Sequence, residues 1–110
     1  MSDNREVRDE LAMLMGWKKE FHQYPGEPGE YGWRGGPNNG FQWSHPAGDD
    51  TIDSAAACLP EEYMFCYSPN WASTYNGNTD ETIRVARTGD EKADRFQLAL
   101  LAWRAMKGKT

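Results

Sequence analysis

Residues 90–107 read DEKADRFQLALLAWRAMK, a stretch in which apolar side chains recur at the spacing of a helix. The main apolar stripe consists of Ala93, Phe96, Leu100 and Trp103, and Leu101 widens it. Just upstream, Thr88 and Glu91 have the T-x-x-E spacing of a capping box, which marks the start of a helix. The sequence therefore predicts a long helix over 90–107.

A second helix is predicted over 3–15, near the start of the chain. Its apolar face is formed by Val7, Leu11, Leu14 and Met15. Asp3 and Glu6 have capping-box spacing, with Asp in the place of the usual Ser or Thr. Gly16 suits the left-handed backbone position that commonly follows a helix, so the helix is expected to end before it.

A third helix is predicted over 50–59, which read DTIDSAAACL. The apolar positions that repeat at helical spacing are Ile52, Ala55, Ala56 and Leu59. Asp50 is the expected N-cap, and Pro60 cannot continue the helix. The run of small alanines indicates close packing against a sheet.

Several short segments alternate apolar and polar side chains or are rich in aromatics, as strands are. They are residues 17–24, 41–44, 63–67, 71–75 and 82–87. Segment 63–67 is apolar or half-apolar on both faces, which is typical of a central strand. The linkers are too short for regular parallel crossovers. The sequence therefore predicts a single domain over 1–110 of the α+β class, with a mostly antiparallel sheet of four to five strands and three helices packed in layers, an α/β/α-type sandwich.

Residues 25–40 contain six glycines and three prolines, a composition that predicts a surface loop. Tyr31, Trp33 and Arg34 lie within this loop and Trp43 follows it. Aromatic residues and arginine dominate binding hot spots, so these four residues are the candidate binding site. The aromatics could instead fold back over the sheet, and the sequence leaves open whether Trp33 and Arg34 face the core or a partner.

The net charge of −5, from 17 acidic and 12 basic residues, argues against sequence-independent nucleic-acid binding, which requires a basic face. No apolar run approaches the length of about 18 residues that a membrane helix needs. Cys58 and Cys66 are the only cysteines and are expected to be reduced, buried thiols. Together these features favour a cytoplasmic protein.

No catalytic or metal-binding pattern emerges from the sequence. The two histidines and two cysteines lack the paired spacing of a zinc site, and paired carboxylates lie where helix caps and turns are expected. We therefore expect a non-enzymatic protein without a cofactor. Arg84 and Arg87 flank a predicted strand and either form a solvated face or hold an anion such as phosphate.

The chain resembles the phage ABA-sandwich domain of small phage and prophage proteins over about residues 7–106. The resemblance rests on MGWK at 15–18, WS at 43–44, TID at 51–53, AAA at 55–57 and LALLA at 98–102. It implies a sheet with helices on its faces and a phage protein located in the cytoplasm of the bacterial host. It implies no shared activity. The long Gly/Pro segment departs from the family pattern.

Three functions are compatible with these features. The first is a phage-encoded protein that binds a bacterial host protein, such as a defence component, through the loop and an acidic surface. The second is a sponge that sequesters a small nucleotide signal, with aromatics stacking on the base and arginines on the phosphate. The third is a structural or assembly accessory protein of the phage. The apolar strand faces also permit a homodimer.

Overall fold

The computed structural model describes residues 4–108, and this part of the chain contains three helices and six strands. Along the chain these are α1 (Arg5–Leu14), β1 (Lys18–His22), β2 (Glu30–Gly35), β3 (Gly40–Gln42), α2 (Ile52–Cys58), β4 (Tyr63–Tyr67), β5 (Trp71–Asn76), β6 (Thr82–Ala86) and α3 (Glu91–Lys107). The α+β class is confirmed.

The strands form two separate antiparallel sheets of three strands each. Sheet A has the order β1-β2-β3 and sheet B the order β4-β5-β6. The prediction of one sheet with four to five strands is therefore wrong for residues 4–108, and the layered sandwich built on it is not confirmed. The physical reason lies between β3 and β4, where α2 joins the helical core and keeps the two sheets apart.

The prediction of a surface loop over 25–40 is also wrong in part, because the central strand of sheet A, β2, lies inside this segment. The glycines of β2 allow close packing. A Cβ atom built on Gly32 would lie 2.2 Å from Cζ of Phe41, whose ring covers this glycine from β3. A Cβ on Gly35 would lie 2.9 Å from the carbonyl oxygen of Gly16. Only the turns on either side of β2 remain loops.

Helix α3 lies at the centre of the molecule. It packs against α1 and α2 on one side and against β5 and β6 on the other. Its buried residues are Asp94, Phe96, Leu98, Ala99, Leu100 and Ala102. Phe96 and Leu100 of the predicted stripe are buried as expected, and the burial extends beyond the stripe because sheet B covers a second side of the helix.

The start of α3 differs from the predicted capping box. Asp90 is the N-cap and accepts a hydrogen bond from the backbone N–H of Ala93 at 3.2 Å. Thr88 lies outside the helix and donates its hydroxyl to the buried carboxylate of Asp94 at 2.8 Å. The Thr88–Glu91 box is therefore wrong, and Thr88 instead compensates the burial of Asp94.

The predicted end of α1 is confirmed, whereas the predicted N-cap of α2 is wrong. Gly16 follows α1 with φ +98°, as predicted. Helix α2 is capped by Thr51, whose hydroxyl accepts from the backbone N–H of Ser54 at 3.1 Å, so the prediction of Asp50 as N-cap is wrong. The predicted cap residue Asp3 lies outside the described residues.

Sheet B also corrects two predictions. Strand β4 lies at an edge of the sheet, and β5 is the central strand. Because side chains alternate along β4, Phe65 is half-buried while Cys66 is exposed, so the prediction that both cysteines are buried is wrong. Cys58 is buried as predicted, and its thiol donates to the carbonyl oxygen of Ala47 at 3.3 Å.

Sheet A projects from the helical core. The radius of gyration is 15.5 Å and the extents are 52 × 34 × 20 Å. A compact domain of this length has a radius of gyration of about 13 Å. Among the helices, α1 makes the principal contact with sheet A, through β1. Much of both faces of sheet A is therefore accessible.

Candidate functional site

Sheet A presents two different faces because its side chains alternate along each strand. The register pairs Lys19 with Trp33 and Phe21 with Tyr31, so these four side chains share the face directed towards α1. The opposite face carries Glu20, His22, Arg34 and Phe41. This separation determines which of the sequence-predicted residues can act together.

The structure places Trp33 in the core and Tyr31 at the surface, although both are on β2 and on the same face. Trp33 is 3% exposed and its ring lies 4.8 Å from that of His45. Tyr31 is 58% exposed. Trp43, just beyond β3, is about half exposed and contacts the Phe41 ring edge-on at 5.0 Å. The question of where Trp33 faces is thus answered in favour of the core.

Although Trp43 contacts the rings of Phe41 and His22 on the opposite face of sheet A, Arg34 is separated from Tyr31 and Trp33. It lies on the opposite face of sheet A, where its Nε donates to the carboxylate of Glu20 and its guanidinium lies 5.6 Å from the Phe41 ring. Strand alternation separates Arg34 from its neighbour Trp33. The structure therefore assigns Arg34 to packing and ion pairing within the sheet.

Tyr31, Trp33 and Trp43 line one cavity of about 320 Å³ between α1 and sheet A. We call this cavity the α1 cleft. Its full lining is Arg5, Arg8 and Asp9 from α1, Lys19 from β1, Tyr31 and Trp33 from β2, and Trp43 and His45 after β3. The cleft thus combines aromatic side chains with a group of charges that the sequence reading did not connect.

Asp9 accepts hydrogen bonds from two of the side chains that line the α1 cleft. One carboxylate oxygen accepts from Nε2 of His45 at 2.7 Å, and the other accepts from Nζ of Lys19 at 3.1 Å. The backbone N–H of Ala47 donates to Nδ1 of His45 at 3.0 Å, so the proton of the neutral ring is on Nε2. Both ring nitrogens are therefore engaged, and His45 holds α1 to the segment after β3.

The environment lowers two pKa values in this cluster. Burial lowers the pKa of His45, and the hydrogen bond to Asp9 only partly offsets this effect. Burial by itself raises the pKa of Asp9, but the hydrogen bonds from His45 and Lys19 outweigh it, so the pKa lies below its ordinary value. The folded protein thus favours neutral His45 beside ionised Asp9 near neutral pH.

We expect the melting temperature to fall as the pH is lowered from about 7.5 to 5.5, through the ordinary histidine pKa of about 6.5. Because the pKa of His45 is lowered in the folded state, the unfolded chain takes up the proton first and gains stability relative to the native protein. Asp9 acts in the same direction only at more acidic pH, below its ordinary pKa of 3.8.

Thermal unfolding of the His45→Gln variant over this pH range checks the prediction. The variant should lose most of the pH dependence, whereas His22→Gln, which replaces the only other histidine, should keep it. An unchanged slope in His45→Gln would refute the role of His45.

The exposed end of sheet A carries a second group of aromatics. Phe21, Tyr24 and Tyr31 are each more than half exposed, and the rings of Phe21 and Tyr31 lie 5.1 Å apart. We call these three residues the hairpin tip. Segment 21–33 contains no lysine or arginine, whereas Glu27 and Glu30 are exposed beside the tip. The tip is therefore acidic around Tyr24, whereas Lys19 lies 5.0 Å from the ring of Tyr31.

Arg84 and Arg87 do not form a common site. Arg84 lies 5.7 Å from the exposed Trp71 ring on the outer face of sheet B. Arg87 lies 5.2 Å from the ring of Tyr67 and donates to the carbonyl oxygen of Ser68 at 3.3 Å. Since Tyr67 belongs to the face that packs towards α3, the two guanidinium groups lie over opposite faces of the sheet.

The charged half of the α1 cleft was missed by the sequence reading. One local signal was present, since Arg5, Arg8 and Asp9 have the i, i+3, i+4 spacing of one helix face. Nothing in the sequence indicates that His45 contacts Asp9. Across residues 4–108, no group of three or more His, Cys, Asp or Glu side chains is arranged to hold a metal ion. Nor does any helix within that range have the length and apolar character needed to cross a membrane.

Comparison of the chain with protein-family models, with curated proteins and with solved structures gives no significant match.

Proposed function

We propose that this chain is a non-enzymatic binding protein that docks onto a partner protein through the hairpin tip. The observation that carries the proposal is the exposure of Phe21, Tyr24 and Tyr31 at one end of a sheet that projects from the core. Large exposed aromatics are costly to leave in water and supply much of the binding energy at protein interfaces. Strands β1 and β2 hold Phe21 and Tyr31 in fixed positions, which lowers the entropic cost of binding.

The charges around the tip specify the chemistry of the partner. Glu27 and Glu30 flank the aromatics, and the 21–33 segment has no cation to balance them. The complementary surface is an apolar pocket with lysine or arginine at its rim. Such charge pairs mainly accelerate association, so the association rate should fall as salt is added.

The resemblance to small phage proteins makes a bacterial host protein, such as a defence component, the partner class to test first. The chemistry of Cys58 and His45 supports binding over catalysis. Burial raises the pKa of the Cys58 thiol to about 11, so the reactive thiolate is scarce at neutral pH. His45 has both ring nitrogens hydrogen-bonded and is not available as a general base without breaking a contact.

Replacing Phe21 and Tyr24 with alanine should weaken partner binding at least about tenfold, because each is an exposed aromatic of the type that forms hot spots. The partner is first identified by affinity purification from a bacterial lysate, and its Kd is then measured with purified proteins. The matched control is Met64→Ala with Trp71→Ala, which removes two exposed apolar side chains from sheet B.

The control should bind like the wild type, and circular dichroism should show that both variants are folded. Equal Kd values for the wild type and the tip variant would rule out the hairpin tip as the docking element. A loss of equal size in both double variants would point to sheet B or to a general surface effect instead.

A further inference from the structure

We propose that the α1 cleft binds a small anion that carries a planar ring, and that the ligand class it fits best is a mononucleotide. This proposal rests on the charged residues of α1 and β1 and shares Tyr31 with the hairpin tip, whereas Phe21 and Tyr24 do not line the cleft.

The cleft is positive in an acidic protein. Arg5, Arg8 and Lys19 contribute three positive charges and Asp9 one negative charge, which gives +2 for the lining at neutral pH. The whole chain carries −5, so the remaining residues carry −5 − 2 = −7. An anion approaching this protein is therefore attracted to the cleft and repelled by much of the rest of the surface.

Asp9 positions the cationic group of Lys19. The Nζ atom of Lys19 is 3.1 Å from Asp9 and lies 5.0 Å from the ring centroid of Tyr31 and 5.9 Å from that of Trp33. About a third of the Lys19 side chain remains exposed, so its ammonium can still donate to a phosphate oxygen. Both oxygens of Asp9 are engaged by cationic or N–H donors, which reduces the repulsion that its charge would exert on an anion.

Aromatic side chains line the same cleft as these cations. Tyr31 and Trp43 line the cleft and are each about half exposed overall, while Trp33 is buried and closes the inner side. Any of the four bases can stack on an aromatic side chain, because every base has a π-face, and this contact does not depend on hydrogen bonds to the base. The cations of the cleft can contact the phosphate of a nucleotide, and the neighbouring aromatic side chains can stack on its base.

The volume of the α1 cleft and the linings of two other cavities support a mononucleotide as the ligand of this cleft. At about 320 Å³ the α1 cleft lies at the small end of the range for ligand pockets, which suits one nucleotide better than two. The cavity at the start of α3 includes Asp90 and Glu91 in its lining, and the cavity beside the hairpin tip includes Glu27 and Glu30. Carboxylates in these two linings oppose the binding of an anion.

Titration of intrinsic tryptophan fluorescence with AMP, GMP, CMP and UMP tests the proposal, with adenosine and inorganic phosphate as partial ligands. At least one mononucleotide should bind, and the two partial ligands should bind at least about tenfold more weakly, because each makes only one kind of contact. Lys19→Gln should weaken mononucleotide binding at least about tenfold, and Lys19→Arg should retain most of it.

The matched control is Arg84→Gln, which removes a cation that also lies over an aromatic ring, Trp71, but outside the cleft. It should leave the Kd unchanged. Absence of binding by all four mononucleotides up to about 10 mM would overturn the proposal, since that corresponds to less than about 3 kcal/mol. Equal Kd values for Lys19→Gln and wild type, or for phosphate and mononucleotide, would overturn it as well. Lys19→Gln leaves Phe21 and Tyr24 in place, so a failure of mononucleotide binding does not bear on docking through these two residues.

Discussion

Replacing Phe96 with alanine should lower the free energy of unfolding by about 3–5 kcal/mol, the cost typical of a large aromatic removed from a core. Phe96 is fully buried and belongs to the core cluster that includes Leu11 of α1 and Ala55 of α2. The truncation leaves a cavity where all three helices meet, and several neighbours lose contacts at once. Domains of this size are stable by about 5–15 kcal/mol, so the variant should be close to unfolding.

Urea unfolding followed by circular dichroism measures this change. The control is Gln97→Ala, one position along α3, where the side chain is only partly buried. We expect the control to cost less than about 1 kcal/mol. A loss below about 1.5 kcal/mol for Phe96→Ala would show that this site collapses around the missing ring or that α3 is not the centre of the core.

Replacing Trp33 with alanine should also cost about 3–5 kcal/mol, because the ring is 3% exposed and packs against His45. Tyr31→Ala is the matched control. It lies two residues earlier on β2, on the same face, but is 58% exposed and should cost less than about 1 kcal/mol. The pair separates the buried end of this face from its exposed end within one strand.

The same urea experiment compares the two variants, and its outcome bears on the attachment of sheet A. Trp33 and the Asp9–His45 contact connect this sheet to α1 and to the segment after β3. If Tyr31→Ala proved as damaging as Trp33→Ala, the exposed end of the face would have to be packed in solution, for example against a second molecule.

Much of the fold could be predicted from local patterns. Helices α1, α2 and α3 and the strands of sheet B lie within a few residues of their predicted positions, because apolar periodicity is a property of consecutive residues. Strand β2 was missed because its glycines are typical of loops. Whether a glycine is flexible or covered depends on its neighbours, and the ring over Gly32 belongs to Phe41, on the next strand.

The candidate site was predicted in its aromatic half only. Tyr31, Trp33 and Trp43 were identified from residue type, but the burial of Trp33 depends on His45, which is 12 residues away and beyond a turn and β3. The contact between Asp9 and His45 joins residues 36 positions apart, and no local spacing indicates it. The separation of Arg34 from Trp33 could not be predicted, because a loop has no fixed faces, whereas strand β2 places consecutive residues on opposite sides.

The arrangement of helices around α3 also has a consequence for biosynthesis. Each sheet is made of consecutive strands, so its pairings can form soon after that part of the chain is synthesised. Leu11, near the beginning, is buried against a cluster whose other members include Phe96, Ala99 and Leu100. At about 5–20 residues per second, translation supplies these partners several seconds after α1 has been made. During that interval the apolar side of α1 lacks its partners on α3. A chaperone or protease therefore has its best access to the nascent chain at this stage.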